Sequence, residues 1–266
     1  MTPVETRALD RLAAARRLLV ALDFDGTLSP LQNDPMRSRM LPAARTAVEA
    51  LAGRPCTWVA LVSGRSLKDL RLIAEHRDDS AVLLAGSHGA EFWTPAAGVI
   101  APDDDPADIV LRDRLRAATE QATRHLPGVW IEPKTFGFGV HTRRASRSDA
   151  QAANDAADAI VATAAGHWRR RTGRDIVEYA FRDEGKDSAV AHLRQLVHAD
   201  AVLFAGDDVT DEDALRSLGE TDVGVHVGPV GTTAATVLMP GIDEFARFLA
   251  SLAARRRDRA CDESPA

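Results

Sequence analysis

Short apolar runs bounded by polar or turn-forming residues recur along the chain, at 18–22, 57–62, 81–85, 201–205 and 223–227. Each run is too short for a typical helix and lacks the alternation of a strand that faces water on one side. Uninterrupted apolar runs of this length are typical of strands buried on both faces, as in parallel sheets. The pattern therefore predicts an α/β core built on a parallel sheet.

Helical patterns separate these predicted strands. Residues 42–51 form one such pattern, and within 187–197 the apolar residues Val190, Leu193 and Val197 recur at helical spacing. Strands that alternate with helices are typical of a βαβ arrangement. The core is therefore expected to be Rossmann-like.

The character of the sequence changes between residues 103 and 181. Two Ala-rich helical patterns alternate there with three strand-like segments, at 108–125, 148–165, 129–132, 137–143 and 175–181. A run rich in Pro and Asp precedes this part of the chain and is typical of a linker. The sequence predicts an inserted α+β cap domain at 102–182 and a core domain formed by 1–101 and 183–266.

Composition and charge exclude several classes of protein. The chain has 266 residues, of which 45% are hydrophobic, so it can bury a substantial core. Its formal net charge of -6 argues against nucleic-acid binding. Residues 1–17 contain no apolar stretch, and the run at 18–22 is too short to span a bilayer, so no membrane association is expected. A monomer is the simplest expectation.

The two cysteines, Cys56 and Cys261, lie far apart and belong to no CxxC or Cys/His cluster. Neither a disulfide framework nor a zinc site is expected from them, and a cytoplasmic location fits best. The residues after 255, first basic and then acidic, are expected to be disordered.

Two carboxylates stand two residues apart where the first predicted strand ends. Asp23 and Asp25 belong to the run Asp-Phe-Asp-Gly-Thr-Leu that follows 18–22, and residues two apart in an extended chain project to the same side. The carboxyl edge of an open α/β sheet is where such folds bind ligands. Taken alone, such a pair is more often a polar turn that ends a strand.

A second acidic cluster follows another predicted strand. Asp207, Asp208 and Asp211 come after 201–205, so we expect them at the same edge of the sheet. Carboxylates gathered there repel one another unless a cation joins them. Mg²⁺ prefers oxygen ligands and suits the cluster better than Zn²⁺, since no His or Cys lies near it in sequence. Thr210 is expected to cap a helix that begins at Asp211.

Two further groups could complete a phosphate site. Ser63, followed by Gly64 and Arg65, comes directly after the strand 57–62, and Lys186 begins the helix after the insert. A hydroxyl, backbone amides and an ammonium can together hold phosphoryl oxygens. Each also has an ordinary explanation, because Ser63 could cap a helix and Lys186 could be a solvated surface lysine.

In their order along the chain these pieces resemble the motifs of haloacid dehalogenase-type phosphatases. The resemblance covers most of the chain and rests on the Asp-Phe-Asp-Gly-Thr run, Ser63, Lys186 and Gly206-Asp207-Asp208. A narrower resemblance, to trehalose-6-phosphate phosphatases, rests on longer segments at 206–213, 63–65, 86–91, 132–134 and 141–143. The chain departs from that family's pattern at Asp187 and Thr142, where glycine and tyrosine are usual.

The resemblance implies hydrolysis of trehalose 6-phosphate, a step of trehalose biosynthesis, through an aspartyl-phosphate intermediate. It implies that Asp23 is the nucleophile and Asp25 the general acid and base, while Ser63 and Lys186 hold the phosphoryl group.

The resemblance also implies a bound Mg²⁺. Its ligands would be the carboxylates of Asp23 and Asp207 and the main-chain carbonyl of Asp25. Asp208 and Asp211 would orient these ligands without contacting the ion.

Substrate-binding residues are expected in the insert and in two loops of the core. Strand alternation places Glu132 and Lys134 on the same face of one strand, and His141 and Arg143 on the same face of the next strand. Glu178, on a third strand, could join them. The remaining candidates follow predicted core strands and are Gly64, Arg65, His88 and Glu91. The ordinary alternative for the insert is a solvated sheet face that carries surface ion pairs.

Spacing gives the position of the cap. The interval between Asp23 and Ser63 holds only one helix and one strand, whereas the interval between Ser63 and Lys186 has room for a further domain. The insert therefore lies between the second and third motifs, as in the family it resembles.

Three alternatives remain open. The substrate could be another disaccharide or pseudo-disaccharide phosphate, an alternative that the departure at Thr142 leaves open. A sugar phosphomutase would also use an acid/base group such as Asp25. From a different class, the chain could be a non-catalytic sugar-phosphate sensor or the regulatory half of a synthase assembly.

Overall fold

The computed structural model describes residues 1–32, 34–173, 175–229 and 231–256. The chain divides into a larger unit, residues 1–101 with the described residues from 185 onwards, and a smaller unit, residues 102–184. In the described ranges, no helix is both long enough and apolar enough to cross a bilayer.

Strands and helices alternate along most of the chain. The strands are β1 (Leu18–Leu22), β2 (Thr57–Val62), β3 (Leu83–Gly86), β4 (Glu91–Thr94), β5 (Gly98–Ile100), β6 (Trp130–Lys134), β7 (Gly137–His141), β8 (Arg169–Gly173), β9 (Ile176–Ala180), β10 (Ala201–Gly206), β11 (Val223–Val227) and β12 (Val237–Met239). The helices are α1 (Pro3–Ala14), α2 (Pro42–Ala52), α3 (Leu67–Ile73), α4 (Pro106–Thr123), α5 (Arg147–Ala165), α6 (Lys186–Leu196), α7 (Glu212–Ser217) and α8 (Ile242–Arg255).

The larger unit is organised by one sheet that, among the described residues, has the strand order β12-β11-β10-β1-β2-β3-β4-β5. The pairs from β12 through β3 are parallel, and β4 and β5 are antiparallel additions at one edge. The chain order changes direction between β10 and β1, which makes their carboxyl ends the topological switch point of the sheet. The predicted α/β class with a parallel core is confirmed.

Apolar side chains on both faces explain why the core strands read as uninterrupted hydrophobic runs. All five residues of β1 are buried. Leu18, Val20 and Leu22 pack in a cluster with α1, α2, α3 and α8, whereas Leu19 and Ala21 pack in a second cluster with α6 and α7. The sheet is therefore covered by helices on both sides, and the ends of its strands are the parts left for polar groups.

The smaller unit is a sheet of order β6-β7-β9-β8, antiparallel throughout its described residues. One face is apolar, where Phe138, Val140 and Tyr179 pack with Ala157 and Val161 of α5. The opposite face carries mostly polar and charged side chains. That these two units act as a core domain and a cap domain stays a prediction.

Several sequence expectations differ from the structure. Strand β8 was not predicted, because three consecutive arginines, Arg169 to Arg171, do not show the alternation of apolar and polar residues that is typical of a strand. Strand β7 ends at His141, so Arg143 does not lie on that strand but in the turn after it. The expectation that no disulfide forms concerns Cys56 and Cys261, and Cys261 lies outside the described residues.

A buried arginine joins three parts of the larger unit. Arg256 directly follows α8 and is 0% exposed, so the expectation of disorder after 255 is wrong for this residue; residues 257–266 lie outside the described part. Its guanidinium donates to Thr57 Oγ1 at 2.7 Å and to the main-chain oxygens of Cys56 at 2.9 Å, Leu12 at 3.1 Å and Ala15 at 2.9 Å. One side chain thus satisfies carbonyl groups at the end of α1 and at the start of β2.

Replacing this arginine should therefore lower stability far more than replacing its neighbour. Arg256→Met removes the buried hydrogen bonds to Thr57 Oγ1 and to several main-chain oxygens at once, and we expect it to lower the free energy of unfolding by roughly 2–3 kcal/mol. Arg255→Met is the matched control, because Arg255 pairs with Asp10 at the surface, where such pairs contribute about 1 kcal/mol or less. Urea denaturation of both variants measures the difference. Equal losses would contradict this account of Arg256.

Candidate active site

Three neighbouring strands present polar side chains at one edge of the larger sheet. Asp207 follows β10, Asp23 follows β1 and Ser63 follows β2, and these strands are adjacent in that order. The amide of Asp23 still donates to the carbonyl of Ala205 at 2.9 Å, and the amide of Ser63 to that of Ala85 at 2.9 Å. The side chains therefore start where the backbone ladder ends, so their positions are fixed by the sheet.

A buried lysine bridges two aspartates at this edge. Lys186 Nζ lies 2.6 Å from Asp23 Oδ1 and 2.6 Å from Asp211 Oδ1, and Lys186 is only 4% exposed. Thr27 donates its hydroxyl to Asp23 Oδ2 at 3.2 Å. Lys186 is thus not a solvated surface lysine. Because it begins α6, its backbone is held by the helix that packs on the sheet.

The charges of this group shift one another's protonation equilibria. Burial raises the pKa of Asp23 to about 7, with Lys186 opposing the rise and Asp211 adding to it. Burial alone would lower the pKa of Lys186, but the attraction of Asp211 and Asp23 outweighs it, so this pKa is raised. The lysine is therefore held as a cation between two acidic groups.

Asp207 is the least compensated carboxylate of the site. Burial, followed by the charges of Asp23 and Asp211, raises its pKa to about 8. Within the described residues no hydrogen bond reaches its carboxylate. Its oxygens pack against Gly26, where φ is +85° and a β-carbon would come within 2.1 Å of Asp207 Oδ2. Only glycine leaves room for this carboxylate at the site.

The carboxylates of Asp23, Asp207 and Asp211 lie close enough to share a cation. One oxygen from each lies within 4.8 Å of the others. Oxygen donors and mutual repulsion are the conditions under which a hard divalent cation binds in place of protons. The residues therefore fit a metal ion.

Asp211 and Asp208 organise the loop that carries Asp207. Asp211 is 1% exposed, and its Oδ2 accepts the amides of Asp207 at 3.1 Å and Asp208 at 3.0 Å. Asp208 in turn caps the 3₁₀ turn Val209–Asp211. The expectation that Thr210 caps this region is wrong, because the capping acceptor is the carboxylate of Asp208, the residue directly before the turn.

Asp25 is held by a group that sequence reasoning assigned to the substrate. Arg65 donates to both carboxylate oxygens of Asp25, from Nε to Oδ2 at 2.5 Å and from Nη2 to Oδ1 at 2.7 Å. Ser38 also donates to Oδ1, at 2.8 Å. Ser38 was missed, because a lone serine in the loop before α2 carries no signal that links it to Asp25.

The loop after β2 is packed against the loop after β3. Ser63 accepts the amide of Arg65 at 3.2 Å, and the cap of α3 is Ser66, so the interpretation of Ser63 as a helix cap is wrong. A β-carbon at Gly64 would come within 2.6 Å of the His88 ring, so only glycine lets this ring approach so closely. His88 itself is buried and has a φ of 60°.

Glu91 connects these two loops. Its Oε2 accepts the hydroxyl of Ser87 at 2.6 Å and the amide of Leu67 at 3.0 Å. That oxygen is therefore committed to protein groups, and its contacts hold the two loops together.

In the smaller unit, a network of charged groups covers the polar face of the sheet. Lys134 Nζ lies 2.6 Å from Glu178 and 3.5 Å from Glu132, whose carboxylate is 2.7 Å from His141 Nε2. Gly139 lies between Glu132 and Glu178 in the strand register. A β-carbon there would lie 3.4 Å from Lys134 Cε, so the lysine chain crosses the sheet above a glycine.

These contacts set the ionisation of the network. Burial would raise the pKa of Glu132, but the hydrogen bond with His141 and the charge of Lys134 lower it overall. Burial would lower the pKa of Lys134, but Glu178 and Glu132 raise it overall. The face therefore carries fixed charges of both signs.

An aromatic side chain and a basic side chain extend this face. The Trp130 indole stacks on the His141 ring, with centroids 4.4 Å apart and planes 2° apart. Arg171 lies opposite Glu178 in the strand register, on the same face, and was missed with the rest of β8. Arg143 is exposed in the turn after β7, apart from the strand that was predicted to carry it.

The uncompensated charge of Asp207 predicts an unusual stability effect. An acid whose pKa is raised by folding destabilises the fold as pH rises above its ordinary pKa, 3.8, and the full cost is reached above the raised value of about 8. In chelator at pH 8.5, Asp207→Asn should therefore raise the Tm by a few degrees. Added Mg²⁺ should raise the Tm of the parent protein and not that of the variant.

Asp213→Asn is the matched control, because this carboxylate is half-exposed and lies outside the cluster. Differential scanning fluorimetry with and without Mg²⁺ measures all three proteins. A lower Tm for Asp207→Asn in chelator, or an equal Mg²⁺ effect on all three, would contradict the charge account.

Known proteins are similar to this chain in sequence and in fold. The sequence profile of the family described as Trehalose-phosphatase matches residues 21–237. A curated trehalose-phosphate phosphatase from Mycobacterium bovis is 32% identical over 255 residues, which covers 92% of this chain and 63% of that protein. The chain thus spans less than two thirds of the length of that relative.

Solved structures show the likeness in fold. The C-terminal domain of Candida albicans trehalose-6-phosphate phosphatase matches with a TM-score of 0.81 at 20% identity, covering 94% of this chain and 96% of that one. The C-terminal domain of a Candida albicans trehalose synthase regulatory protein matches with a TM-score of 0.70 at 15% identity, covering 92% and 97%.

Proposed function

The chain belongs to the trehalose-phosphatase family, and on that basis we propose that it hydrolyses trehalose 6-phosphate to trehalose and inorganic phosphate. The observation that carries the proposal is the buried group of Asp23, Lys186 and Asp211, with Asp207 beside it. A carboxylate nucleophile, a fixed cation and a divalent-cation site are the parts that phosphoryl transfer through an acyl phosphate requires.

In the proposed reaction an oxygen of Asp23 attacks phosphorus, and the bond from phosphorus to the sugar oxygen breaks. Asp25 gives a proton to the departing sugar oxygen. Water then attacks the phosphorus of the acyl phosphate, Asp25 takes back a proton, and inorganic phosphate leaves with the Asp23 carboxylate restored. General acid catalysis is needed in the first step because a sugar alkoxide is a poor leaving group.

We propose Mg²⁺ as the cation, held by the Asp23 and Asp207 carboxylates and the main-chain carbonyl of Asp25. When bound, it neutralises negative charge where a carboxylate must approach a phosphate dianion. The hydrogen bonds of Asp208 and Asp211 support an orienting role for them, because they shape the loop on which Asp207 lies.

Lys186 and Ser63 are proposed to hold the transferred phosphoryl group. Lys186 can do so only as a cation, and its pairing with Asp23 and Asp211 keeps it one. Gly64, Arg65 and His88 lie in the loops beside Ser63 and are proposed to contact the substrate, while the hydrogen bonds of Glu91 support an indirect role for it.

The polar face of the smaller unit is proposed to recognise the sugar hydroxyls. Glu132, Lys134, His141 and Glu178 offer both acceptors and donors, and their contacts with one another hold them in position before any ligand arrives. Arg143 is proposed as a further contact from the turn after β7. The domains are proposed to run from 1–101 with 183–266 and from 102–182, with the second acting as the cap.

A second candidate function is a sugar-phosphate sensor without turnover, since the chain is also similar in fold to a domain of a regulatory protein. The retained Asp23, Asp25, Lys186 and Asp207 favour catalysis, since a sensor has no need of a nucleophile beside a cation site. A cytoplasmic, monomeric enzyme is the proposed state.

The proposed activity is tested by phosphate release with Mg²⁺ from trehalose 6-phosphate, sucrose 6-phosphate, glucose 6-phosphate and mannose 6-phosphate. We expect preference for trehalose 6-phosphate and a loss of roughly a thousandfold or more in Asp23→Asn, because an amide is a poor nucleophile. Preference for another ester would keep the mechanism and change the substrate. Binding without turnover would favour the sensor, and activity surviving in Asp23→Asn would overturn the mechanism.

The role of the smaller unit is tested separately with Glu178→Gln. We expect about a tenfold loss of kcat/KM on trehalose 6-phosphate, because the neutral amide weakens the hold on Lys134 and on the sugar. Hydrolysis of p-nitrophenyl phosphate should be unchanged. Glu120→Gln, a change of the same kind at an exposed ion pair of α4, is the control. Equal losses on both substrates would contradict a role in sugar recognition.

A further inference from the structure

A buried serine contacts the proposed acid/base residue. Ser38 is 0% exposed, and its hydroxyl donates to Asp25 Oδ1 at 2.8 Å. The same hydroxyl accepts from Arg65 Nη2 at 3.3 Å. Ser38 therefore lies between the two side chains of the Asp25–Arg65 pair and contacts both.

The backbone around Ser38 is fixed from both sides. The 3₁₀ turn Pro35–Arg37 begins with a cap from Asp34, and the Ser38 amide closes the turn on the carbonyl of Pro35 at 3.2 Å. The carbonyl of Ser38 accepts from Arg39 Nη1 at 2.7 Å. The hydroxyl is therefore presented to Asp25 by a hydrogen-bonded turn.

The two partners of Asp25 differ in what they can hold. A guanidinium has only donors, so Arg65 pairs well with a carboxylate and poorly with a carboxylic acid. A hydroxyl can donate and accept, so Ser38 can keep its hydrogen bond with Asp25 in either form. In the proposed reaction Asp25 must pass through both forms while its position is retained.

A phosphate group of the proposed substrate would compete with Asp25 for Arg65. A phosphate dianion and a carboxylate are both bidentate partners of a guanidinium, and Arg65 is also proposed to contact the substrate. If the guanidinium turned toward the phosphate, the hydrogen bond from Ser38 would still restrain the Asp25 side chain.

We propose that Ser38 is a positioning residue that holds Asp25 in place for proton transfer to the leaving sugar oxygen. The inference rests on the proposed function, because it assigns Asp25 the acid/base role. Ser38 touches neither the phosphate nor the sugar in this account and acts through Asp25.

This role makes a prediction that depends on the leaving group. A sugar alkoxide must be protonated as it departs, whereas p-nitrophenolate is stable enough to leave without a proton. Loss of the Ser38 hydroxyl should therefore slow the cleavage of trehalose 6-phosphate and have little effect on the cleavage of p-nitrophenyl phosphate. A general loss of structure would affect both.

The experiment compares kcat/KM of Ser38→Ala on these two substrates in the full chain with Mg²⁺. We expect about a tenfold loss on trehalose 6-phosphate and less than about a twofold loss on p-nitrophenyl phosphate. Ser29→Ala is the matched control, because Ser29 is also 0% exposed and its hydroxyl contacts only a main-chain oxygen, that of Pro30, among the described residues. That variant should keep both activities.

A double-mutant cycle with Asp25→Ala separates the outcomes. If Ser38 acts through Asp25, Ser38→Ala should cost no further activity on trehalose 6-phosphate once Asp25 is removed. Equal losses of Ser38→Ala on both substrates, or a full further loss in the Asp25→Ala background, would overturn the inference. Full turnover of trehalose 6-phosphate by Asp25→Ala would instead overturn the proposed function of Asp25, and the inference with it.

Discussion

The candidate site depends on aspartate side chains that lie close together at one edge of the sheet, where burial limits the screening of their charges by water. Asp23, Asp207 and Asp211 come within 4.8 Å of one another, and burial raises the pKa of Asp23 to about 7 and that of Asp207 to about 8. Lys186 compensates Asp23 and Asp211 directly. The charge that remains, centred on Asp207, is the part that a divalent cation would neutralise, and binding of such an ion would relieve the repulsion between the carboxylates.

The rest of the larger unit keeps that repulsion from being relieved by movement. Parallel strands with helices on both faces fix where Asp23, Ser63 and Asp207 leave the sheet. Gly26 lets the Asp207 carboxylate pack directly on the turn after Asp23, and a larger residue would push the two apart. Rigid support of this kind is what makes clustered charges useful for chemistry, because they need no rearrangement when the ligand arrives.

The sequence predicted the parallel core because strands buried on both faces leave an unmistakable apolar run, and β1, β2 and β11 coincide with their predicted bounds. It predicted acidic groups at strand ends for the same reason. It missed Ser38 and the pairing of Arg65 with Asp25, because these contacts join a loop to distant strands and no local pattern encodes them. It missed β8 because charged side chains on both faces of that strand mask the alternation of apolar and polar residues. It placed Arg143 on a strand because it did not predict the turn that follows β7.

The central claim, that the buried Asp23 receives the phosphoryl group, is tested most directly by rapid acid quench of the protein during turnover of trehalose 6-phosphate with Mg²⁺. Peptide mass spectrometry of the quenched protein then locates any phosphoryl adduct. The account predicts the mass of one phosphoryl group on the peptide that contains Asp23, formed and lost within the catalytic cycle. Turnover at the normal rate with no adduct on that peptide, or with the adduct on another residue, would contradict it.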